Sequence, residues 1–204
     1  WKFDGGLIKE YGKHTVAYAE HNLFIFHLIG QHVDYNLRCP ENEKQFIAGS
    51  ISRDDLSNSE RTIVADYDNA TLYNDTVLDD IYVLFSDKDA IVVYMPDHGE
   101  EVYDEIKAFG RLHDANMSPA LVRAEFEIPL LIWGSRKFRK NHRQLFNQLK
   151  IHADSPFKTD DIAPCVAGRS GYLHAKPRFT VYRIVFGVST SFVAQTPMRS
   201  PRKI

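Results

Sequence analysis

The stretch Ala90-Ile91-Val92-Val93-Tyr94-Met95-Pro96-Asp97-His98-Gly99-Glu100-Glu101 decides how the rest of the chain reads. Residues 90–95 are apolar without interruption and stop at Pro96. That is the length of a buried strand, and proline, which has no N–H to give a ladder, ends it. An acid, an imidazole and a glycine follow at once. In open α/β sheets ligands gather at the carboxyl ends of the strands, so this strand marks both a fold class and a place for chemistry. Asp97 and His98 offer a carboxylate oxygen and an imidazole nitrogen, a pair that zinc accepts readily. A polar turn closing a strand explains the same residues and is the commoner reason for such a pattern. Both readings stay open at this level.

Two further apolar runs lie outward from it. Residues 23–29 (Leu-Phe-Ile-Phe-His-Leu-Ile) end at Gly30, as a buried parallel strand would. Residues 127–133 (Glu-Ile-Pro-Leu-Leu-Ile-Trp) end at Gly134-Ser135, with Pro129 pointing to an edge or to the strand's first residues. Between the first two runs, Ser57 or Ser59 can cap a helix whose apolar stripe is Ile63, Tyr67, Ala70, Asn74, Val77 and Ile81. Residues 135–150 are basic and amphipathic, with Phe138, Leu145, Phe146 and Leu149 on one face, and predict one helix. A short helical pattern falls around Leu7–Tyr11, a long surface connection over 39–59, and a further helix over 159–168. Strands alternating with helices predict an α/β fold with a largely parallel sheet flanked by helices. Beyond Gly171 the chain turns β-rich and basic.

With 204 residues the chain is long enough for a real core, and 44% apolar with 25% charged residues places it among globular proteins. A formal net charge of −2 leaves no basic excess to favour nucleic acid as a partner. No apolar run approaches the roughly 20 residues that span a bilayer. The two cysteines, Cys39 and Cys165, are far apart and in no CxxC pattern, and read as structural or free thiols.

Three histidines join Asp97 and His98 as candidates. His27, inside an apolar run, reads as a buried core residue. His32, just past the end of that run, sits where the strand-end rule places function. His113 follows the Asp-His pair by fifteen residues in an aperiodic segment, where a surface histidine is the ordinary reading. Together they could hold a metal that polarises a phosphoryl or sulfuryl oxygen.

Four stretches, in order, resemble the second half of the bacterial phosphoethanolamine transferases and their sulfatase-like relatives in the alkaline-phosphatase superfamily. Residues 26–32 (Phe-His-Leu-Ile-Gly-Gln-His) resemble the family's His-x-x-Gly-Ser-His segment, with Tyr35 and Pro40 following. Residues 67–75 (Tyr-Asp-Asn-Ala-Thr-Leu-Tyr-Asn-Asp) resemble its long helix. Residues 94–100 (Tyr-Met-Pro-Asp-His-Gly-Glu) resemble its Ser-Asp-His-Gly-Glu, and residues 127–133 its His-Val-Pro-Met-Leu-Leu-Trp.

The resemblance implies that residues 1–162 are the C-terminal part of a sulfatase-like catalytic domain, with 163–204 an unassigned tail and the fold incomplete. It implies Asp97 and His98 as zinc ligands, with His32 and His113 as catalytic groups facing the phosphoryl group or a second zinc. The implied reaction moves phosphoethanolamine from a phospholipid through a zinc-activated threonine to a lipid A-type or other glycan acceptor. It implies a setting on the periplasmic side of the inner membrane, reached through an N-terminal membrane region absent here. No segment matches the family's nucleophile segment; Thr15 and Thr71 lie elsewhere, and Gln31 and Pro96 stand where the family has other residues. The nucleophile is therefore expected outside this chain, which should be inactive alone. A sulfatase or other phospho- or sulfo-ester hydrolase, a manganese phosphoglycerol transferase, and a non-catalytic α/β partner-binding module are the alternatives.

Overall fold

A computed structural model describes residues 2–14, 20, 22–112, 116–156 and 158–159, and the backbone of 184–185. The chain divides into two compact units, Trp1–Ile81 with Gly187–Ile204, and Tyr82–Phe186.

In the first unit, α1 (Asp4–Lys13) extends the short helix expected around Leu7–Tyr11, and α2 (Asn58–Phe85) is the long helix. Ser57 starts α2. Its hydroxyl accepts the Glu60 N–H at 3.3 Å, and the Glu60 carboxylate accepts the Ser57 N–H at 2.7 Å. This reciprocal pair satisfies two N–H groups that a helix start leaves without partners. Ala70, Asn74, Val77 and Ile81 of the expected stripe are buried, alongside Val64, Ala65 and Leu78. Asn69 is buried on the same helix. Its Oδ1 accepts the Gln45 and Phe46 N–H groups at 2.7 and 2.9 Å, and its Nδ2 donates to the Phe46 carbonyl at 2.9 Å. One amide thus does for the 45–46 backbone what a neighbouring strand would do.

Residues 22–29 depart from expectation. They pair with no strand among the described residues, and exposure alternates along them. Leu23, Ile25 (82% exposed) and Ile29 face solvent, while Phe24 and Phe26 set their rings edge-on to Tyr11 at 5.7 and 5.2 Å. The expected buried strand is therefore an extended segment covered on one side. His27 falls on the open side with the odd-numbered residues and is exposed, which corrects its reading as a core histidine.

In the second unit the elements are β1 (Ile91–Tyr94), β2 (Glu101–Val102), β3 (Phe109–Gly110), α3 (Pro119–Phe126), β4 (Leu130–Gly134), α4 (Arg136–Asn141), α5 (Arg143–Ile151) and β5 (Ile184–Val185). The sheet order is β1-β4-β5. β1 and β4 are antiparallel, with Ile91 opposite Gly134 and Tyr94 opposite Leu131, and β4 and β5 are parallel. The described part of the sheet is thus mixed, and Ile91 and Val93 are exposed rather than buried on both faces. Proline sets the start of β4, since Pro129 has no N–H for the ladder and pairing begins at Leu130.

Ser135, fully buried, closes the other end of β4. Its hydroxyl donates to the Lys88 carbonyl at 2.6 Å and accepts the Ala90 N–H at 3.3 Å and the Phe138 N–H at 3.0 Å. It caps α4 and anchors the approach to β1 together. The single basic helix expected over 135–150 breaks at His142, whose backbone leaves the helical region and whose ring lies 3.3 Å from the Asp89 carboxylate. α3 and the β2–β3 hairpin were not expected. Apart from Thr159, the expected helix over 159–168 lies outside the described residues, as do Cys165 and nearly all of 163–204. Among the described residues no helix is long and apolar enough to cross a membrane.

Candidate functional site

The Asp97–His98 turn leaves the end of β1 and enters the β2–β3 hairpin. Asp97 is 93% exposed at its side chain, while the His98 ring is mostly covered. The His98 Nδ1 lies 2.8 Å from the Gly99 carbonyl, which can only accept, so Nδ1 is the donor in that bond and Nε2 is the ring nitrogen turned away from it. That Nε2 faces Asp97 Oδ1 at 3.9 Å. The separation is too long for a hydrogen bond, and the two side chains are the ones that would hold a zinc ion at this turn. The donor set fits zinc, and the carbonyl that fixes the ring is the usual kind of support for a ligating histidine. Among the described residues no group of three or more His, Cys, Asp or Glu side chains forms a metal cluster, so the two residues are a pair.

The turn is held from below. The Gly99 N–H donates to the Glu125 carbonyl at the end of α3 at 2.8 Å. A Cβ on Gly99 would overlap the Ala124 carbonyl oxygen, so no other residue fits this approach without a backbone shift. Glu101, next along, is fully buried, and its Oε1 accepts the Glu105 and Ile106 N–H groups at 2.7 and 3.3 Å. That carboxylate ties down the loop between β2 and β3, in which Tyr103 has a left-handed backbone (φ 58°).

His32 belongs to the first unit and is exposed. It follows Gly30, whose φ of 58° is the left-handed conformation that glycine adopts without strain. The Asp4 carboxylate, in the first turn of α1, accepts the Ile29 and Gly30 N–H groups at 3.1 and 2.8 Å. Behind the turn, Arg38 donates to the His32 and Val33 carbonyls at 3.1 and 2.9 Å. His113 lies outside the described residues. Cys39 is buried, and desolvation, reinforced by Glu43, pushes its thiol up. A thiol kept protonated is a poor nucleophile.

Sequence reasoning missed Asp4, Arg38, Glu101 and Glu125, the groups that hold the two turns. Ser118-Pro119 is a helix-start signal, and Ser118 does accept the Leu121 N–H at 3.2 Å. Read that way, it would have placed Glu125 on a helix.

Fold and turn together define a sulfatase-type domain piece, and the chain belongs to the sulfatase family, whose model matches residues 9–172. The expected family resemblance is thereby borne out. Within that family the chain is 35% identical over 152 residues to phosphoethanolamine transferase EptC of Escherichia coli, covering 72% of this chain and 26% of that protein. It is 31% identical over 154 residues to phosphoethanolamine transferase EptA of Helicobacter pylori, covering 74% and 28%. It is 30% identical over 155 residues to the Kdo(2)-lipid A phosphoethanolamine 7''-transferase of Salmonella typhimurium, covering 74% and 26%. Among solved structures it resembles the C-terminal periplasmic domain of the Escherichia coli EptC in complex with zinc (TM-score 0.56, 33% identity, 69% of this chain and 39% of that one). The chain thus spans about a quarter of the length of the curated relatives it matches.

Proposed function

We propose that this chain is the C-terminal part of the catalytic domain, over residues 1–162, of a zinc-dependent phosphoethanolamine transferase. The observation that carries the reading is the Asp97–His98 turn: the His98 Nε2 facing a carboxylate oxygen at 3.9 Å, in a chain whose relatives are phosphoethanolamine transferases. The donor is a phospholipid and the acceptor a lipid A-type or other glycan. The setting is the periplasmic side of the inner membrane, in keeping with a similar domain described as periplasmic.

Asp97 and His98 would hold the zinc, which when bound polarises a phosphoryl oxygen and stabilises developing charge. His98 would bind through Nε2, since its Nδ1 donates to the Gly99 carbonyl. His32 and His113 would sit at the phosphoryl group, offering N–H donors to its oxygens or moving a proton to the leaving group. No segment here resembles the family's threonine nucleophile segment, so the chain alone is expected to bind zinc weakly and to transfer nothing.

The test is an anomalous map at the zinc edge from crystals grown with zinc, paired with calorimetry on Asp97→Ala and His98→Ala. A peak about 2.0–2.2 Å from both side chains, lost in each variant, supports the reading. Zinc bound elsewhere, or bound equally by both variants, overturns it. The sulfatase description of the matching family favours sulfo-ester hydrolysis as a second reading. Turnover of an aryl sulfate, but not of a phosphoethanolamine lipid, by a full-length protein containing this chain would select it.

A further inference from the structure

In the second unit Glu125 contacts both the Asp97–His98 turn and the segment that follows β3. It is 1% exposed, on the buried face of α3 near its end. Its backbone carbonyl accepts the Gly99 N–H at 2.8 Å, and its carboxylate Oε1 accepts the Leu112 N–H at 2.9 Å. Gly99 in turn accepts the His98 Nδ1 proton at 2.8 Å. A series of contacts therefore links the Leu112 N–H to the Glu125 side chain, and the Glu125 backbone carbonyl through Gly99 to the imidazole of His98. Nothing in local sequence requires it, since Leu112 and Glu125 are thirteen positions apart. Burying a carboxylate to accept a backbone N–H is costly unless the arrangement is held on every side. Here it is: Ala124 blocks any retreat of Gly99, and the Glu101–Gly110 pair of β2 and β3 fixes the strand that leads to Leu112.

We propose that Glu125 is a positioning residue that locks the Asp97–His98 turn to the end of β3 and so sets the direction in which His98 Nε2 faces Asp97. The inference rests on the reading of that pair as zinc ligands. Its physical content is separate, because these contacts orient the His98 ring whether or not metal is bound. Groups that orient a ligating histidine through its second nitrogen change metal affinity by about 10–100-fold when removed. Here the orientation comes from further back: the carboxylate holds Leu112 and so seats the end of α3, whose carbonyl takes the Gly99 N–H, while the ring binds the Gly99 carbonyl on the next peptide. The lower end of that range is expected.

The experiment uses the full 204-residue chain, uniformly labelled with ¹⁵N, with Glu125→Ala and Glu125→Gln compared with the parent. Zinc affinity is measured by competition with a chromophoric chelator. The His98 ring nitrogens and the Gly99 and Leu112 amides are followed by NMR without metal. Glu125→Ala is expected to lower zinc affinity about tenfold, to shift the His98 Nδ1–H signal, and to speed exchange at both amides. Glu125→Gln keeps an acceptor oxygen and should restore all three readouts, which a loss of general stability would not do. Should Glu125→Ala fail to fold, Glu125→Gln and Asp substitution at the same position keep the test, since the shorter Asp acceptor must give an intermediate His98 shift. If Leu112 alone loses protection while Gly99 and His98 are unmoved, the link is absent and the proposal is overturned. If the parent binds no zinc at Asp97 and His98 but the metal-free His98 signal still follows Glu125, the zinc reading fails and the positioning role stands.

Discussion

The two turns that carry the candidate residues begin alike and are held differently. Each follows an apolar run and contains a glycine next to or near a histidine. The His32 turn is gripped by surface groups, Asp4 in front and Arg38 behind, after a run whose odd-numbered residues face solvent. The Asp97–His98 turn follows a paired strand and is held through Gly99 by the backbone carbonyl of the buried Glu125, while the buried Glu101 carboxylate ties down the loop that follows. The contrast teaches that an apolar run alone does not make a strand. β1 is a strand because β4 lies beside it with an antiparallel register, and its turn inherits that order. Residues 22–29 are likewise mostly apolar but have no partner strand among the described residues, so their turn depends on two side chains.

Substitutions separate the ways the two turns are held. The largest effect is expected at Gly99→Ala, whose Cβ meets a backbone carbonyl that cannot swing aside. A loss of about 3 kcal/mol in urea unfolding of the second unit is expected, and a loss under half of that would mean the turn is less tightly seated than its contacts imply. Asn69→Ala comes next, because it strips partners from the Gln45 and Phe46 N–H groups and the Phe46 carbonyl at once. It should cost the first unit about 2 kcal/mol, read by the same measurement, with faster amide exchange at residues 45 and 46. Ser135→Ala removes a helix cap and the donor to Lys88, for about 1–2 kcal/mol, and should leave the His32 turn's chemical shifts untouched.

A smaller, pH-dependent effect is expected at Asp75. Burial raises its pKa in the folded state. The protonated form is the one the fold tolerates, so stability is fully present below the ordinary Asp range and is lost as pH rises through the folded pKa. Asp75→Asn should therefore melt higher than the parent at neutral pH, with the gap closing as the solution is acidified into the ordinary Asp range. A gap that stays constant with pH would mean the carboxylate is not desolvated. The smallest effect belongs to Ile25→Thr, which at 82% exposure should change stability by no more than about 0.5 kcal/mol. A loss of 2 kcal/mol or more, as expected of a core strand, would show that the open face of 22–29 is covered in solution.

The sequence was most informative where one local rule acted alone. The capping serines at 57 and 59 placed the start of α2, where the structure selects Ser57, and the three- and four-residue spacing of Ala70, Asn74, Val77 and Ile81 placed its buried face. Pro129 and Gly134-Ser135 bracketed β4 through a missing N–H and a side-chain cap. Where long-range pairing decides, the sequence misled. Residues 23–29 carry every mark of a buried strand, but a strand needs a neighbour, and neighbours are not written in the run itself. The same holds for the site. Asp97 and His98 were visible as a strand-end pair, whereas Glu125 was not, because its role comes from a helix end meeting a glycine 26 positions earlier in the chain. His142 broke an otherwise good helix pattern for a similar reason, through Asp89, 53 positions away.

The Asn69 clasp on Gln45 and Phe46 closes a loop of 23 or 24 positions with one side chain. Such a ring has its ends fixed independently of what lies between them. Doubling its length would add only about 0.6 kcal/mol of closure entropy. The connection around residues 52–55, outside the short helical turn at Ala48–Ser50 and ahead of the α2 cap, is thus a natural insertion port. An epitope or a fluorophore-binding peptide placed there would report on the chain while leaving both turns as they are.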